Sequence, residues 1–438
     1  MAHATEGGRG LAVWRDLSPA AHGLMEIRAL RSLAQGLFVV DFTLYLHAAG
    51  WGAAAIGALL TAEGLVGAAL MLLVGVLSDR YGRRAFLLAY QGLVFVGMAA
   101  VLAWPMPWTV AAVAVALGLG RGANGAAGPF GPAEQAWLAR TVPHHLRARA
   151  FSLNNGATYV GMGIGSALAG TVVLFRHFLP GAHMYLPMFA LAGVIAVVNA
   201  IQLLTLPEVR TADAGPAAER GGAAPAAEAP GLPSPDLRRA QNGALMRLMG
   251  VNAVNALAIG MVGPLIPYWF NARFGIGPDV IGSIYALSFV LTAAASVFTG
   301  DLATRFGTVP AVVLTRTVGV ALMAALPILP TYPLAAGAYA VRSMANRGSA
   351  GARNALGVSI MGDERRGLAA SLNGLSMRLP SSLGPALGGW MFSMGNLELP
   401  FFLAAALQCA FLVLFGVALR DVEALGARTD RVRNAEAT

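Results

Sequence analysis

The sequence predicts an all-α membrane protein made of two six-helix halves, and three observations carry that prediction. Of 438 residues, 57% are hydrophobic and 12% charged, roughly half the ~25% charge of a soluble chain, with a mean hydropathy of +0.64. The apolar residues fall in blocks of about 20, the length at which a helix crosses ~30 Å of hydrocarbon. Short sequences of the first half also recur in the second at fixed offsets.

Twelve apolar segments follow in order: 29–48, 53–77, 85–104, 108–137, 151–175, 185–206, 243–269, 279–303, 309–329, 332–357, 368–392 and 399–419. The first 28 residues carry charges but no apolar run, so no cleavable signal peptide is expected. Segments 2 and 3 are parted by a basic loop. Trp104-Pro105-Met106-Pro107-Trp108 parts segments 3 and 4, because proline ends a helix. Arg147-Ala148-Arg149 precedes segment 5, and Leu329-Pro330-Thr331-Tyr332-Pro333 parts 9 from 10. Residues 207–242, rich in Ala, Pro, Gly and Glu, hold nothing that packs and read as a flexible linker. The expected organisation is an N-terminal tail 1–28, a bundle 29–206, the linker 207–242, a second bundle 243–420 and a tail 421–438.

All 30 basic residues are arginine. Without lysine there is neither a Walker A loop nor a pyridoxal Schiff base, so any pumping would draw on an ion gradient or on a partner chain that hydrolyses ATP. With the N-terminus in the cytoplasm, 22 arginines fall on inner segments, including Arg28 and Arg31, and two, Arg176 and Arg273, on outer ones. That asymmetry predicts both termini and the linker in the cytoplasm of a cell-membrane protein. It also accounts for the net charge of +9 as topology rather than nucleic-acid binding. The one cysteine, Cys409, permits no internal disulfide. No catalytic or metal-binding constellation is present: G-x-S-x-G and H-E-x-x-H are absent, and the literal G-x-G-x-x-G at Gly120 to Gly125 follows no strand. The expectation is no enzyme, no metal and no cofactor.

The halves repeat. Ile56-Gly57 matches Ile281-Gly282, and Arg80-Tyr81-Gly82 matches Arg305-Phe306-Gly307, at an offset of 225. Ser152-Leu153-Asn154 matches Ser371-Leu372-Asn373, and Gly165 to Gly170 matches Gly384 to Gly389, at 219. Duplicated six-helix halves are the layout of many secondary transporters, with the binding site between them near the midplane.

Between segments 2 and 3 stands Gly75-Val76-Leu77-Ser78-Asp79-Arg80-Tyr81-Gly82-Arg83-Arg84. A glycine allows close helix approach, Asp79 sits at a helix end, Gly82 permits a tight turn, and Arg80, Arg83 and Arg84 hold the turn on the inner side. This string resembles motif A of the major facilitator superfamily, matched at Gly75, Leu77, Asp79, Arg80, Gly82, Arg83 and Arg84. The second copy keeps Arg305 and Gly307 but has Thr304 where the first has Asp79. Arg121-Gly122-Ala123-Asn124-Gly125 is similar to the family's motif B, with Asn124 for glutamine. Gly156, Gly161, Gly163, Gly165 and Gly170 are similar to motif C of its antiporter branches, with Ser166 for the proline, and read equally as small residues that let helices pack closely. The resemblance covers about residues 29–420. It implies an alternating-access transporter of a small molecule. It also implies that Glu134 pairs with a motif A arginine, here Arg83, as a cytoplasmic latch.

Ionisable groups at membrane depth are functional candidates. Asp41 lies ~18 Å into helix 1 and Glu63 ~15 Å into helix 2 at ~1.5 Å per residue. Both are proton-coupling candidates, with Glu63, nearer the midplane, first. Candidates for the substrate cavity are Arg121 and Asn124 in segment 4, Asn252 and Asn255 in segment 7, Arg342, Asn346 and Arg347 in segment 10, Arg378 in segment 11, and the rings of Tyr45, Tyr268 and Tyr285. Arg316 and Arg353 are expected to snorkel to the inner surface. Arg342 and Arg347, five apart and so ~140° apart on a helix, are expected to diverge. The buried arginines require anions: first the N-half carboxylates across the cavity, alternatively a substrate. The combined expectation is a monomeric, proton-coupled exporter of a small organic compound, partnered by substrate, protons and the lipid bilayer. The alternatives are uptake or exchange of an organic anion, and, in another class, a non-transporting sensor on a transporter scaffold.

Overall fold

Proline and glycine punctuate the chain and decide where its helices start and stop. The computed structural model describes residues 17–118, 131–143, 146–206, 235–306, 308–348 and 366–416, and every regular element among them is helical. Helix α1 (Pro19–Ala48) starts with proline in its first turn and with the Ser18 hydroxyl accepting from the Ala21 amide, a cap worth ~1 kcal/mol. Helix α2 spans Ala53–Tyr81 and α3 Arg83–Ala103. Only Gly82, at φ +93°, parts them, the tight turn expected from the sequence. A side chain there would strain the backbone.

Helix α4 (Pro107–Leu117) ends at Gly118, a left-handed glycine cap at φ +72°. The expected continuous segment 108–137 is therefore interrupted, and α5 (Gly131–Thr141) follows. Helix α6 (Arg147–Ala169) runs into a 3-10 turn, and α7 (Leu186–Thr205) completes the first half. In the second half, α8 (Pro235–Val262) passes through a 3-10 turn at Gly263–Leu265 into α9 (Ile266–Phe274). Then come α10 (Pro278–Phe306), α11 (Thr308–Ala325), α12 (Tyr332–Gly348), α13 (Arg366–Ser393) and α14 (Leu399–Gly416).

Two boundaries correct the sequence reading. α1 already begins at Pro19, inside the expected tail, and α8 at Pro235, inside the expected linker. Apolar content marks the stretch that meets lipid, whereas helical hydrogen bonding continues into the charged turns beyond it. Residues 207–234 lie outside the described set.

Eight of the described helical stretches are long and apolar enough to cross a membrane, and Pro107–Leu117 and Val313–Ile328 are shorter apolar helices. Trp104, Trp108, Phe178, Val194, Leu314, Trp390 and Val413 are exposed. A surface this apolar matches lipid as the surrounding solvent, because helices satisfy their own backbone there.

The packing is pseudo-symmetric. Within the halves, α1 lies on α6 and α8 on α13; between them, α2 lies on α13 and α10 on α6. The repeated glycines make the crossings. A Cβ on Gly57 would overlap the Pro385 carbonyl oxygen, and one on Gly282 would overlap the carbonyl of Ser166. Pro385 and Ser166 are themselves equivalents at the offset of 219, and Gly57 and Gly282 at 225. Duplicated sequence has thus become duplicated backbone contact between the halves. Both crossings lie near the starts of α2 and α10, at the end of the bundle where α1 finishes.

Candidate functional site

The first half buries one group of paired charges. Arg28 and Arg31 stand three apart on α1, on one face, and both are buried. Their common partner is Glu134 in the first turn of α5, where the helix dipole favours a carboxylate. Arg31 Nη2 donates to Glu134 Oε2, and Arg28 Nη1 lies 3.7 Å from Oε1. Arg28 Nε donates to Thr158 Oγ1 of α6 at 2.8 Å, and Thr158 donates on to the Asn154 carbonyl at 2.9 Å. The group ties α1, α5 and α6 together.

This corrects two expectations. Glu134 is held by Arg28 and Arg31, while Arg83, its expected partner, donates to the Ala136 carbonyl at 3.0 Å. Arg28 and Arg31, counted from the sequence as inner-side topology charges, are buried structural groups, because α1 begins far enough ahead of its apolar run to carry them inside. The Arg84 guanidinium donates to the Leu204 carbonyl of α7. The backbone of Gly75, Asp79 and Arg80 is helical; the side chains of residues 75–81 lie outside the described set, as do Arg121, Asn124 and Arg353.

Asp41 is different. It shares a face of α1 with Phe38 and Tyr45, whose rings meet Phe189 at 5.5 Å each, and Tyr45 also meets Tyr185 at 6.1 Å. Asp41 is fully buried, and neither carboxylate oxygen has a hydrogen-bond partner among the described residues. Tyr185 interacts with it electrostatically. An unpaired buried carboxylate costs several kcal/mol if ionised. Glu63 is equally buried but engaged by a partner.

In the second half the buried charges are cationic; among the described residues no buried Asp or Glu belongs to it. Arg347 places its guanidinium 4.7 Å from the centroid of Phe289. Phe289 stacks on Tyr159 of the first half at 6.4 Å, so this group lies where α10 meets α6. Tyr285, one turn before Phe289 on α10, packs on Tyr339 at 5.1 Å. Arg342, three residues after Tyr339, is 7% exposed, its Nε is buried without a partner, and no hydrogen bond or ion pair with a described residue holds it. Both guanidiniums act on the Tyr285 hydroxyl and on each other. Arg342 and Arg347, ~140° apart on the helix, meet different partners: Arg347 lies over Phe289, while Arg342 interacts electrostatically with Tyr339 on its own helix, with Arg347 and with Tyr285.

The remaining candidates scatter. Asn255 accepts from Arg316 Nη1 at 3.4 Å, and Arg316 also faces Phe411 of α14 at 5.8 Å. Arg316 is 1% exposed, so it does not snorkel; it joins α8, α11 and α14. Asn346 packs against Gly319 of α11. Tyr268 meets His47 at 5.0 Å, in the contact between α9 and α1. Asn252 and Arg378 each have a partner, and the Arg378 carbonyl accepts from Ser382. The structure thus gathers Tyr285, Arg342 and Arg347, and adds Tyr159, Phe289 and Tyr339, which no sequence motif marked. The cross-cavity pairing expected for the arginines is not made by Asp41 or by Arg342.

No curated protein matches the chain in sequence. The solved structures it resembles are distant in sequence and similar throughout. One is a bacterial homologue of the human lysosomal transporter Spinster, inward-facing and occupied (15% identity, 93% of this chain and 96% of that one, TM-score 0.67). Another is a point mutant of the nucleoside transporter NupG (11%, 91% and 99%, 0.68). A third is a D-xylose–proton symporter (14%, 90% and 97%, 0.64). At such identities the likeness is one of fold. The family model described as Major Facilitator Superfamily matches residues 27–244 and 248–436, nearly the whole chain. With two pseudo-symmetric helical halves meeting at duplicated crossings, the chain belongs to the major facilitator superfamily and is a membrane transporter, not an enzyme.

Proposed function

We propose that this transporter is proton-coupled and moves a small organic compound across the cell membrane by alternating access. The observation that carries the coupling is Asp41: fully buried, on a helix at the heart of the first half, with both carboxylate oxygens unpartnered. A carboxyl group in such a place is stable when protonated and needs water or a partner to ionise, so a change of access changes its protonation. Asp41 now precedes Glu63, which has a partner in this conformation. The two bundles rock about the site, and the Gly57–Pro385 and Gly282–Ser166 crossings act as the outer closure. Asp79, Arg80, Arg83 and Arg84 form the inner gate, on the cytoplasmic side that the arginine asymmetry assigns to both termini. The direction we propose is export, on the antiporter-like glycine series of α6.

The test uses proteoliposomes of the purified chain with an imposed pH gradient and a panel of organic anions and cations. Substrate is expected to move uphill only while the gradient lasts, and Asp41→Asn to keep binding while losing that dependence. Gradient-independent flux in the wild type would overturn the coupling. Uphill flux through Asp41→Asn would move it to Glu63.

A further inference from the structure

The two groups of buried arginine are unequally served. Arg28 and Arg31 have a carboxylate and a hydroxyl within their own half. Among the described residues Arg342 has neither, and its Nε is buried without a partner, although a guanidinium stays protonated when buried. The described groups that act on it are the Tyr285 and Tyr339 hydroxyls and the second cation Arg347, which itself lies over the Phe289 face. We propose that Arg342 and Arg347 are the anion-binding element of the transport site, and that its substrate is a small organic monoanion with a flat aromatic body.

Each part of that description has its observation. The anion follows from Arg342, a buried cation that no described carboxylate pairs, since a buried cation without a counter-charge is unfavourable and a guanidinium beside tyrosine donors suits a carboxylate. A single charge follows because Arg347 already lies over Phe289 and has a further contact, which leaves one cation unserved. The aromatic body follows from the ring surfaces: Tyr159 and Phe289 stack at 25° across the junction of the halves, and Tyr285 and Tyr339 continue the wall. A flat ring there touches both halves at once. Binding energy is then available for the movement of one half against the other.

The inference rests on the transporter reading, and the experiment separates the two. Purified wild type in nanodiscs is titrated with naphthoate, its neutral amide naphthamide, and naphthylmethylammonium, with thermal shift and tryptophan fluorescence as readouts. Naphthoate is expected to bind at least about tenfold tighter than either analogue. Arg342→Gln is expected to abolish that preference, and Arg342→Lys to restore part of it. In the absence of ligand Arg342→Gln is expected to leave the melting temperature unchanged or raised, because it removes an unserved charge; a fall would show an internal partner and overturn the proposal. Equal binding of the three compounds by the wild type, or full naphthoate preference in Arg342→Gln, would also overturn it. Proteoliposome flux is read in parallel. Naphthoate binding without gradient-driven flux would overturn the coupled-transport reading and leave the site standing; flux of the ammonium compound, unaffected by Arg342→Gln, would do the reverse.

Discussion

The halves share a backbone plan and differ in what they bury. In the first, Glu134 gathers Arg28 and Arg31, and Thr158 accepts from Arg28 Nε. In the second, Arg316 is held by Asn255 and the Phe411 face, and Arg342 by no carboxylate among the described residues. Duplication fixes where helices cross; it does not fix the charges, which have diverged since. A paired buried charge ties helices together, and an unpaired one is a standing demand for a partner from outside. The unpaired charges are of opposite kind: in the first half the carboxyl of Asp41, which waits for a proton, and in the second the guanidinium of Arg342, which waits for an anion.

The largest way to break this contrast is Glu134→Gln. It leaves two buried guanidiniums without their carboxylate, and a loss of about 3–5 kcal/mol in stability is expected, measured by thermal or denaturant unfolding of the purified protein. A loss no greater than that of a surface variant would mean that Arg28 and Arg31 are not served by Glu134. Next come the crossings, where the halves should respond alike. Gly57→Val and Gly282→Val each drive a side chain into a carbonyl, of Pro385 and Ser166 respectively, and each is expected to cost about 1–3 kcal/mol by overpacking. Strongly unequal costs would show that the pseudo-symmetry of the contacts is not energetic.

Arg342→Met should go the other way, gaining on the order of 1 kcal/mol in the ligand-free protein by removing a buried charge that no described carboxylate pairs. Its unfolding midpoint sharpens the comparison with Glu134→Gln, because the two variants are expected to differ in sign. The smallest effect belongs to the exposed pair Arg273–Glu398, at 3.3 Å with 24% and 50% exposure. Arg273→Gln should change stability by no more than about 0.2–1 kcal/mol, which makes it the baseline for the others.

Much of this was legible in the sequence, for physical reasons. Membrane helices announce themselves by apolar length, and proline and glycine announce their ends, as at Pro107 and Gly82. The repeats at Gly57 and Gly282 were readable because backbone contact tolerates no side chain, so both copies stayed glycine. The charges were less legible. Arg28 and Arg31 look like topology charges because nothing in the local sequence says that α1 starts at Pro19 and carries them inward. The Glu134 partner depends on where α5 lies against α1, a matter of tertiary packing between residues more than a hundred positions apart. Arg342 and Arg347 were visible as candidates, but the aromatic groups around each depend on how α10 packs on α12 and α6, which helical angles alone do not encode. Tyr159, Phe289 and Tyr339 carried no signal, since aromatic residues are common in lipid-facing and core positions alike.

The most direct test of the account is proton movement itself. Proteoliposomes enclosing a pH-sensitive dye, with no imposed gradient, receive naphthoate from outside, and the internal pH is followed for wild type, Asp41→Asn and Arg342→Gln. The account predicts a substrate-driven proton flux in the wild type and none in either variant, with naphthoate binding kept in Asp41→Asn and lost in Arg342→Gln. A wild-type proton flux from Asp41→Asn would contradict it.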